Sequence, residues 1–273
     1  MNENNPEQDG TLALTLAYNG ADFHGFARQP GQVTVQGELE KALRTLFNRE
    51  IETVGAGRTD VGVHALGQVV SFELAEQDYT EFKNAKRSFE PHSLKKLRSS
   101  LNALTPEGIV VRDVVEKPPG FSARFSAQER EYRYRYVFSE VEPLFLRPYT
   151  WWVSPRCPID VQAMKRAAPL LVGEHDFASF CVAASAVDRN TVRRILSITI
   201  FGTDHLGESC LVLQVRGTAF LHSMIRVIAG SLLEVGLGKR EPSWFEEVLR
   251  ARDRTAAGQT APAQGLTFWR VRY

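Results

Sequence analysis

The stretch Gly57-Arg58-Thr59-Asp60-Val61-Gly62-Val63-His64-Ala65 is the densest polar cluster in an apolar neighbourhood. Glycines on both sides allow a tight loop that comes close to another backbone or to a ligand. An aspartate held there is anionic at neutral pH and can act as a nucleophile. It can equally bond its own turn, as short acidic side chains often do. A second cluster, Arg130 to Phe138, puts Tyr132, Tyr134, Tyr136 and Phe138 on one face of a strand and Arg133 and Arg135 on the other. Such rings stack on unpaired bases and such arginines grip phosphates, and one exposed tyrosine would be enough. The competing reading is a core face of aromatics backed by a solvated face. A third cluster, Phe220 to Ile228, is an apolar helical stretch with a single arginine, Arg226. An unpaired buried guanidinium is costly, so Arg226 should meet an anion, line a cleft, or lead its charge to water over a packed stem.

Other chemistries lack their residues. Gly55-Ala56-Gly57 opens like a dinucleotide fingerprint, but Asp60 stands where the third glycine belongs and a strand follows. There is no Walker lysine and no GxSxG, and the six histidines show neither HExxH nor HxH spacing. An aspartate-based phosphotransferase would need further acidic residues near Asp60 to hold magnesium, and none is nearby. The expected site therefore uses no cofactor and no metal.

The elements that must position these clusters can be read from the pattern. With 273 residues, at roughly 150 per domain, one large or two modest domains are expected. TLALTLAY (11–18) alternates as a strand, and Val35, Leu39, Ala42, Leu43 and Leu46 recur at helical spacing over 35–47. Short strands are expected at 51–54 and 68–74, with GAGRTDVG as the loop between them. Between residues 82 and 98 six basic residues (Lys83, Lys86, Arg87, Lys95, Lys96, Arg98) face one acid, Glu90, beside Leu94, Leu97, Leu101 and Leu104. This is a helix with a cationic face, either solvated or touching phosphates. After the strand IVVRDVV, Lys117-Pro118-Pro119-Gly120 cannot continue an element and marks the boundary between domains 1–117 and 118–273. The second half reads as strands at 129–139, 192–202, 211–220 and LTFWRVRY, with helices at 160–172, 222–236 and 242–251. No regular βαβ period is present, so the fold class is α+β, two halves with largely antiparallel sheets. The residues themselves show no internal repeat, although the halves can share a topology.

The net charge of +1 means that a nucleic-acid partner must be held by a local patch. Three cysteines far apart in sequence fit neither a disulfide framework nor a metal pair, which points to a reducing compartment. The polar N-terminus does not resemble a signal peptide, and Arg226 and Glu234 interrupt the most apolar later stretch. A cytoplasmic protein with no membrane contact is expected.

Taken together, AYNGADFHGFARQ, VQGELEKAL, GAGRTDVGVHALGQVVSF, FSARFSAQEREYRYRYVF, LVGEHDFASF, TVRRI, GTAFLHSMIRVIAGSLLEVG and APAQGLTF resemble, in this order, the tRNA pseudouridine synthase A family almost end to end. The segment from Gly57 to Ala65 is the most specific. The resemblance implies two RRM-like domains with a central cleft, and a homodimer that isomerises uridines in the anticodon stem-loop of tRNA, at positions 38–40. It implies Asp60 as the catalytic aspartate, Tyr132 over the target base and Arg226 paired with the aspartate. It also implies Arg58 displacing the base from the RNA, and His64 and Arg124 among the substrate-binding residues. The chain departs from the family at Asn19, at Phe26-Ala27 and at Cys181, and its segment 76–100 is longer than usual.

Overall fold

The computed structural model describes residues 10–74, 78, 91–154, 158–182 and 190–273. They form two compact units, residues 1–127 together with Tyr273, and residues 128–272. In the first unit β1 (Thr11–Tyr18), α1 (Val35–Phe47), β2 (Val54–Gly55), β3 (His64–Glu73), α2 (Pro91–Leu104) and β4 (Ile109–Lys117) follow one another. They build an antiparallel sheet in the order β4-β1-β3-β2. Leu12, Leu14, Leu16 and Tyr18 are all buried, as the alternation in β1 requires. Thr34 starts α1 by accepting the Gly37 N–H, and Asn48 ends it in the left-handed region. Between these caps Val35, Leu39, Leu43 and Phe47 bury one stripe of the helix.

In the second unit the order is β5 (Glu129–Phe138), β6 (Trp151–Val153), α3 (Val161–Ala167), β7 (Gly173–Asp176), β8 (Val192–His205), β9 (Glu208–Gly217), α4 (Met224–Gly236), α5 (Trp244–Ala251) and β10 (Leu266–Arg272). The sheet runs β10-β5-β9-β8-β7, antiparallel throughout, with β6 added parallel to β5. Setting aside β6, β7 and α5, this is the same β-α-β-β-α-β path and the same strand order as in the first unit, so the two halves share a topology without a shared sequence pattern. Tyr134 and Tyr136 are fully buried on the helix side of β5, and their hydroxyls donate to the carbonyls of Pro262 and Ala229, both at 2.9 Å. A buried tyrosine needs a partner of this kind, and here it also fastens α4 to the sheet.

Several expected boundaries move. The helix expected at 160–172 stops at Ala167 and tightens into a 3-10 turn, Ala168–Leu171, where Pro169 has no N–H to donate. α4 starts at Met224 and not at residue 222, because Ser223 has φ +58°. β8 runs on to His205, past the end expected at 202, and β9 lies three residues earlier than expected at the same length; they close a hairpin through Leu206 and Gly207, both at positive φ, as a two-residue turn of matching twist requires. β6 and β7 have three and four residues, too short to show a period. Leu97 and Leu101 are buried on α2, but Leu104 is exposed and leaves the apolar stripe. Lys95 and Lys96 are exposed; Lys83, Lys86, Arg87 and Glu90 lie outside the described residues. The units divide between Ala127 and Gln128, beyond the boundary expected after Lys117. Residues 118–127 stay with the first unit because the Ala123 N–H donates to Ser71 Oγ (2.9 Å) and its carbonyl accepts from the Tyr273 hydroxyl (3.0 Å).

Opposite the tyrosines, β5 carries Glu131, fully buried and held by Arg133 (2.9 Å), Arg270 (2.8 Å), Arg216 (3.3 Å) and Gln214 (2.6 Å). Burial alone would raise its pKa. Hydrogen bonds from Arg133 and Gln214, and the charges of Arg133 and Arg270, outweigh that and hold the carboxyl below its ordinary value. A carboxyl lowered by folding contributes stability above its unfolded pKa and loses it as the pH falls through the folded value. Glu131→Gln should therefore cost about 3 kcal/mol at neutral pH, the low end for a broken buried pair because its arginines partly reach water. In denaturant titrations the gap between parent and variant should shrink once the pH drops below the usual carboxylate range. An unchanged gap there would mean that packing, and not charge, carries the effect.

Candidate active site

The loop between β2 and β3 is fixed from several directions. The Ala56 N–H donates to the Val69 carbonyl (2.8 Å), and Gln68 Nε2 donates to the Gly57 carbonyl (2.7 Å). Thr59 Oγ1 bonds the Tyr18 hydroxyl at 2.7 Å, and its carbonyl accepts the Phe26 N–H at 3.1 Å. The Val63 N–H closes the turn on the carbonyl of Asp60 (3.1 Å). One step further, the Gly20 N–H donates to His64 Nδ1 (3.1 Å). Gly20 has no alternative here, since a Cβ at that position would lie 2.1 Å from the Val63 carbonyl oxygen. The segment AYNGADFHGF, which follows β1 into α1, is thus the clamp on the loop. Tyr18 and Gln68, which hold this loop, are not singled out by the residue pattern. A tyrosine on a buried strand face signals a need for a hydroxyl partner, but not that the partner is Thr59.

Within this frame Arg58 is exposed and Asp60 half-buried, whereas Thr59 is buried. The Asp60 carbonyl serves its own turn, and that accounts for its backbone alone. His64 is buried, and with Nδ1 accepting from Gly20 a neutral ring carries its proton on Nε2. Its observed contact braces Gly20. Burial pushes the Tyr18 phenol far above its ordinary pKa, against the opposing pull of hydrogen bonds with Thr59 and Gln68. Arg124 is exposed on the turn after β4, its guanidinium 5.4 Å from the ring centre of Phe125.

The other two expected residues belong to the second unit. Tyr132 is 7% exposed, stacked on Phe268 (4.6 Å between ring centres) and met edge-on by Phe220 (5.2 Å). Of the two readings of the aromatic face the core one holds: Tyr132, Tyr134 and Tyr136 are buried and Phe138 is half-buried. The open platform that a base-stacking sheet would present is missing from β5. Arg226 sits in the first turn of α4, with Nε donating to the Ala261 carbonyl (2.8 Å) while its own carbonyl accepts the Ala261 N–H (3.1 Å). Where the sequence leaves an anion, a cleft or solvent open for this guanidinium, a backbone carbonyl takes its Nε–H. The chain reaches Ala261 by passing so close to α4 that a Cβ on Gly230 would lie within 1.8 Å of the Gln259 carbonyl oxygen. Cys181 and Cys210 are buried free thiols, and Cys157 lies outside the described residues. Among the described residues no group of three or more His, Cys, Asp or Glu is placed to hold a metal ion, and no helix is long and apolar enough to cross a membrane.

A family model described as tRNA pseudouridine synthase matches residues 15–126 and 167–273. The tRNA pseudouridine synthase A of Brevibacillus brevis is 44% identical over 262 residues, covering 96% of this chain and 99% of that protein. The one of Bacillus subtilis is 42% identical over 267 residues (96% and 98%), and that of Thermotoga maritima 38% identical over 260 (95% and 98%). Among solved structures, a chain of a Cbf5-Nop10-Gar1 complex aligns at 14% identity over 84% of this chain and 46% of that one. Its TM-score of 0.35 is too low to carry an argument. The full-length similarity, running through both units and through the clamped loop, places the protein among isomerases: the chain belongs to the tRNA pseudouridine synthase family.

Proposed function

We propose that the protein isomerises uridine to pseudouridine in the anticodon stem-loop of tRNA, at positions 38–40, with Asp60 as nucleophile, working as a cytoplasmic homodimer. The observation that carries this reading is the loop 57–63, which is held rigidly by its neighbours and still leaves Arg58 exposed and Asp60 partly so. The reaction breaks the N1–C1′ bond of uridine, turns the uracil and joins C5 to the same C1′. C5 loses a proton and N1 gains one, so nothing is oxidised and no energy source is consumed. A stacked or paired base shows neither face to a side chain, so the nucleotide is first extruded, at a cost of a few kcal/mol. Arg58 fills the vacated space while the Asp60 carboxylate meets the sugar or the base.

Arg226 is the proposed partner of Asp60, a guanidinium that favours the ionised carboxylate where water is scarce. Its Nε bond to Ala261 supports a fixed direction for that group. Tyr132 lies over the target base; its contacts with Phe268 and Phe220 suit a rigid wall better than a proton acceptor, and an ordinary phenol is a poor base near neutral pH. Exposed Arg124 is a further proposed tRNA contact, and His64, proposed with it on the substrate side, bears on the tRNA through the loop it braces. The β-α-β-β-α-β order of each unit supports the RRM-like reading of the two domains. A non-catalytic RNA-binding module would draw on the same arginines, but it leaves Asp60 beside Arg58 without a purpose.

Substrate and product have equal mass, so the assay is tritium release from tRNA labelled at uracil C5. Release should be stoichiometric with the reactive uridines and confined to positions 38–40. Asp60→Asn should lower it by about a thousandfold or more and leave tRNA affinity within about twofold. Turnover by Asp60→Asn would remove the nucleophile. Arg226→Ala should cost about a hundredfold in the same assay, as expected for a charge aimed at the reacting carboxylate, and Arg226→Lys should recover part of that loss. An Arg226→Ala enzyme with the parent's rate would remove the ion pair from the mechanism.

A further inference from the structure

The catalytic loop is tied from behind at alternate residues. Gly57 gives its carbonyl to Gln68, and Thr59 gives its hydroxyl to Tyr18 and its carbonyl to the Phe26 N–H. Arg58, between these ties, is exposed, Asp60, just beyond them, is half-buried and Val61 after it is exposed, while Thr59 is buried. The ties at 57 and 59 fix the backbone on both sides of Arg58 and immediately before Asp60. The inward anchor does not move readily. Tyr18 is the last residue of β1, its ring is buried, Phe26 lies against it at 6.3 Å between ring centres, and the hydroxyl is its one polar atom. Gln68, fully buried on β3, holds the Gly57 carbonyl on the same side of the loop.

We propose that Tyr18 is a positioning residue for the isomerisation: its hydroxyl, acting through Thr59, sets the direction in which Asp60 presents its carboxylate. The inference rests on the reading of Asp60 as nucleophile and deepens it. Tyr18 touches neither substrate nor reacting atoms. Its contribution is to hold the attacking group in an orientation that would otherwise have to be found in the transition state. Because burial keeps the phenol protonated, the tie does not titrate in the working range, and losing it should scale the rate without reshaping its pH profile.

The test is single-turnover tritium release with enzyme in excess over C5-labelled tRNA, run alongside tRNA binding on the same variants. Tyr18→Phe and Thr59→Val, which each delete one side of the tie, should both lower the rate constant by about 10- to 100-fold with tRNA affinity within about twofold. The factor should be constant over about pH 6 to 9. The double variant should lose little more than either single one, since both remove the same bond, and Thr59→Ser should restore most of the rate lost in Thr59→Val. Parent-like rates in both Tyr18→Phe and Thr59→Val, with Asp60→Asn inactive, would overturn the positioning role and spare the nucleophile. If Tyr18→Phe fails to fold, Thr59→Val against Thr59→Ser decides alone: equal rates overturn the proposal. An active Asp60→Asn would instead overturn the reading of Asp60, whatever the Tyr18 variants do.

Discussion

A short loop with a charged side chain cannot stay ordered at a surface unless its own backbone polar groups are satisfied, and that requirement governs the first unit. Loop 56–63 meets it with partners from β1, β3 and the segment that follows β1. Each partner is held in turn: Tyr18 by the sheet and by Phe26, Gln68 by its place in β3, Gly20 by His64. A single neutral hydrogen bond contributes only about 1 kcal/mol to stability. Their importance is directional. They fix the backbone path of the loop that carries Arg58 and Asp60.

The second unit solves a different problem on the same topology. Its aromatic strand is turned inward, and the tyrosine hydroxyls that would otherwise be buried without partners grip the backbone of α4 and of the 259–262 segment. The helix start and the segment lying over it are thereby fixed together, and Arg226 emerges at their junction with its Nε already committed to Ala261. On the reverse side of β5 a fully buried glutamate collects three arginines, one of which, Arg133, lies 3.8 Å from the Trp269 ring centre. Arg133, for which the sequence leaves both phosphate contact and a solvated face open, is therefore engaged, in part, in holding its own sheet.

Much of this was legible in the residues. The alternation of TLALTLAY and the spacing of Leu39 and Leu43 fixed their elements because burial on one face leaves only one period that works. The loop Gly57–Gly62 was visible because glycines bracket charged residues, a combination with few structural uses. The short strands β6 and β7, the early end of α3 at Pro169 and the left-handed Ser223 were not. Three or four residues carry no period, and a helix boundary depends on which backbone groups find partners elsewhere. The segment 118–127 reads as a linker by composition, yet Ser71 and Tyr273, distant in sequence, tie it to the first unit.

The sequence by itself determined the fold class, the family and the residues worth watching, since these follow from local periodicity and from a rare string of residue types in order. Which tyrosine faces a loop and which faces a core was decided by the tertiary structure. Tyr18 and Tyr132 have the same side chain and both end up buried, yet one hydroxyl supports the Asp60 loop while the other ring is enclosed by Phe268 and Phe220. The reason is physical: a hydrogen bond or a ring contact between residues 41 or more positions apart exists only after the chain has been brought together, and no local pattern encodes it.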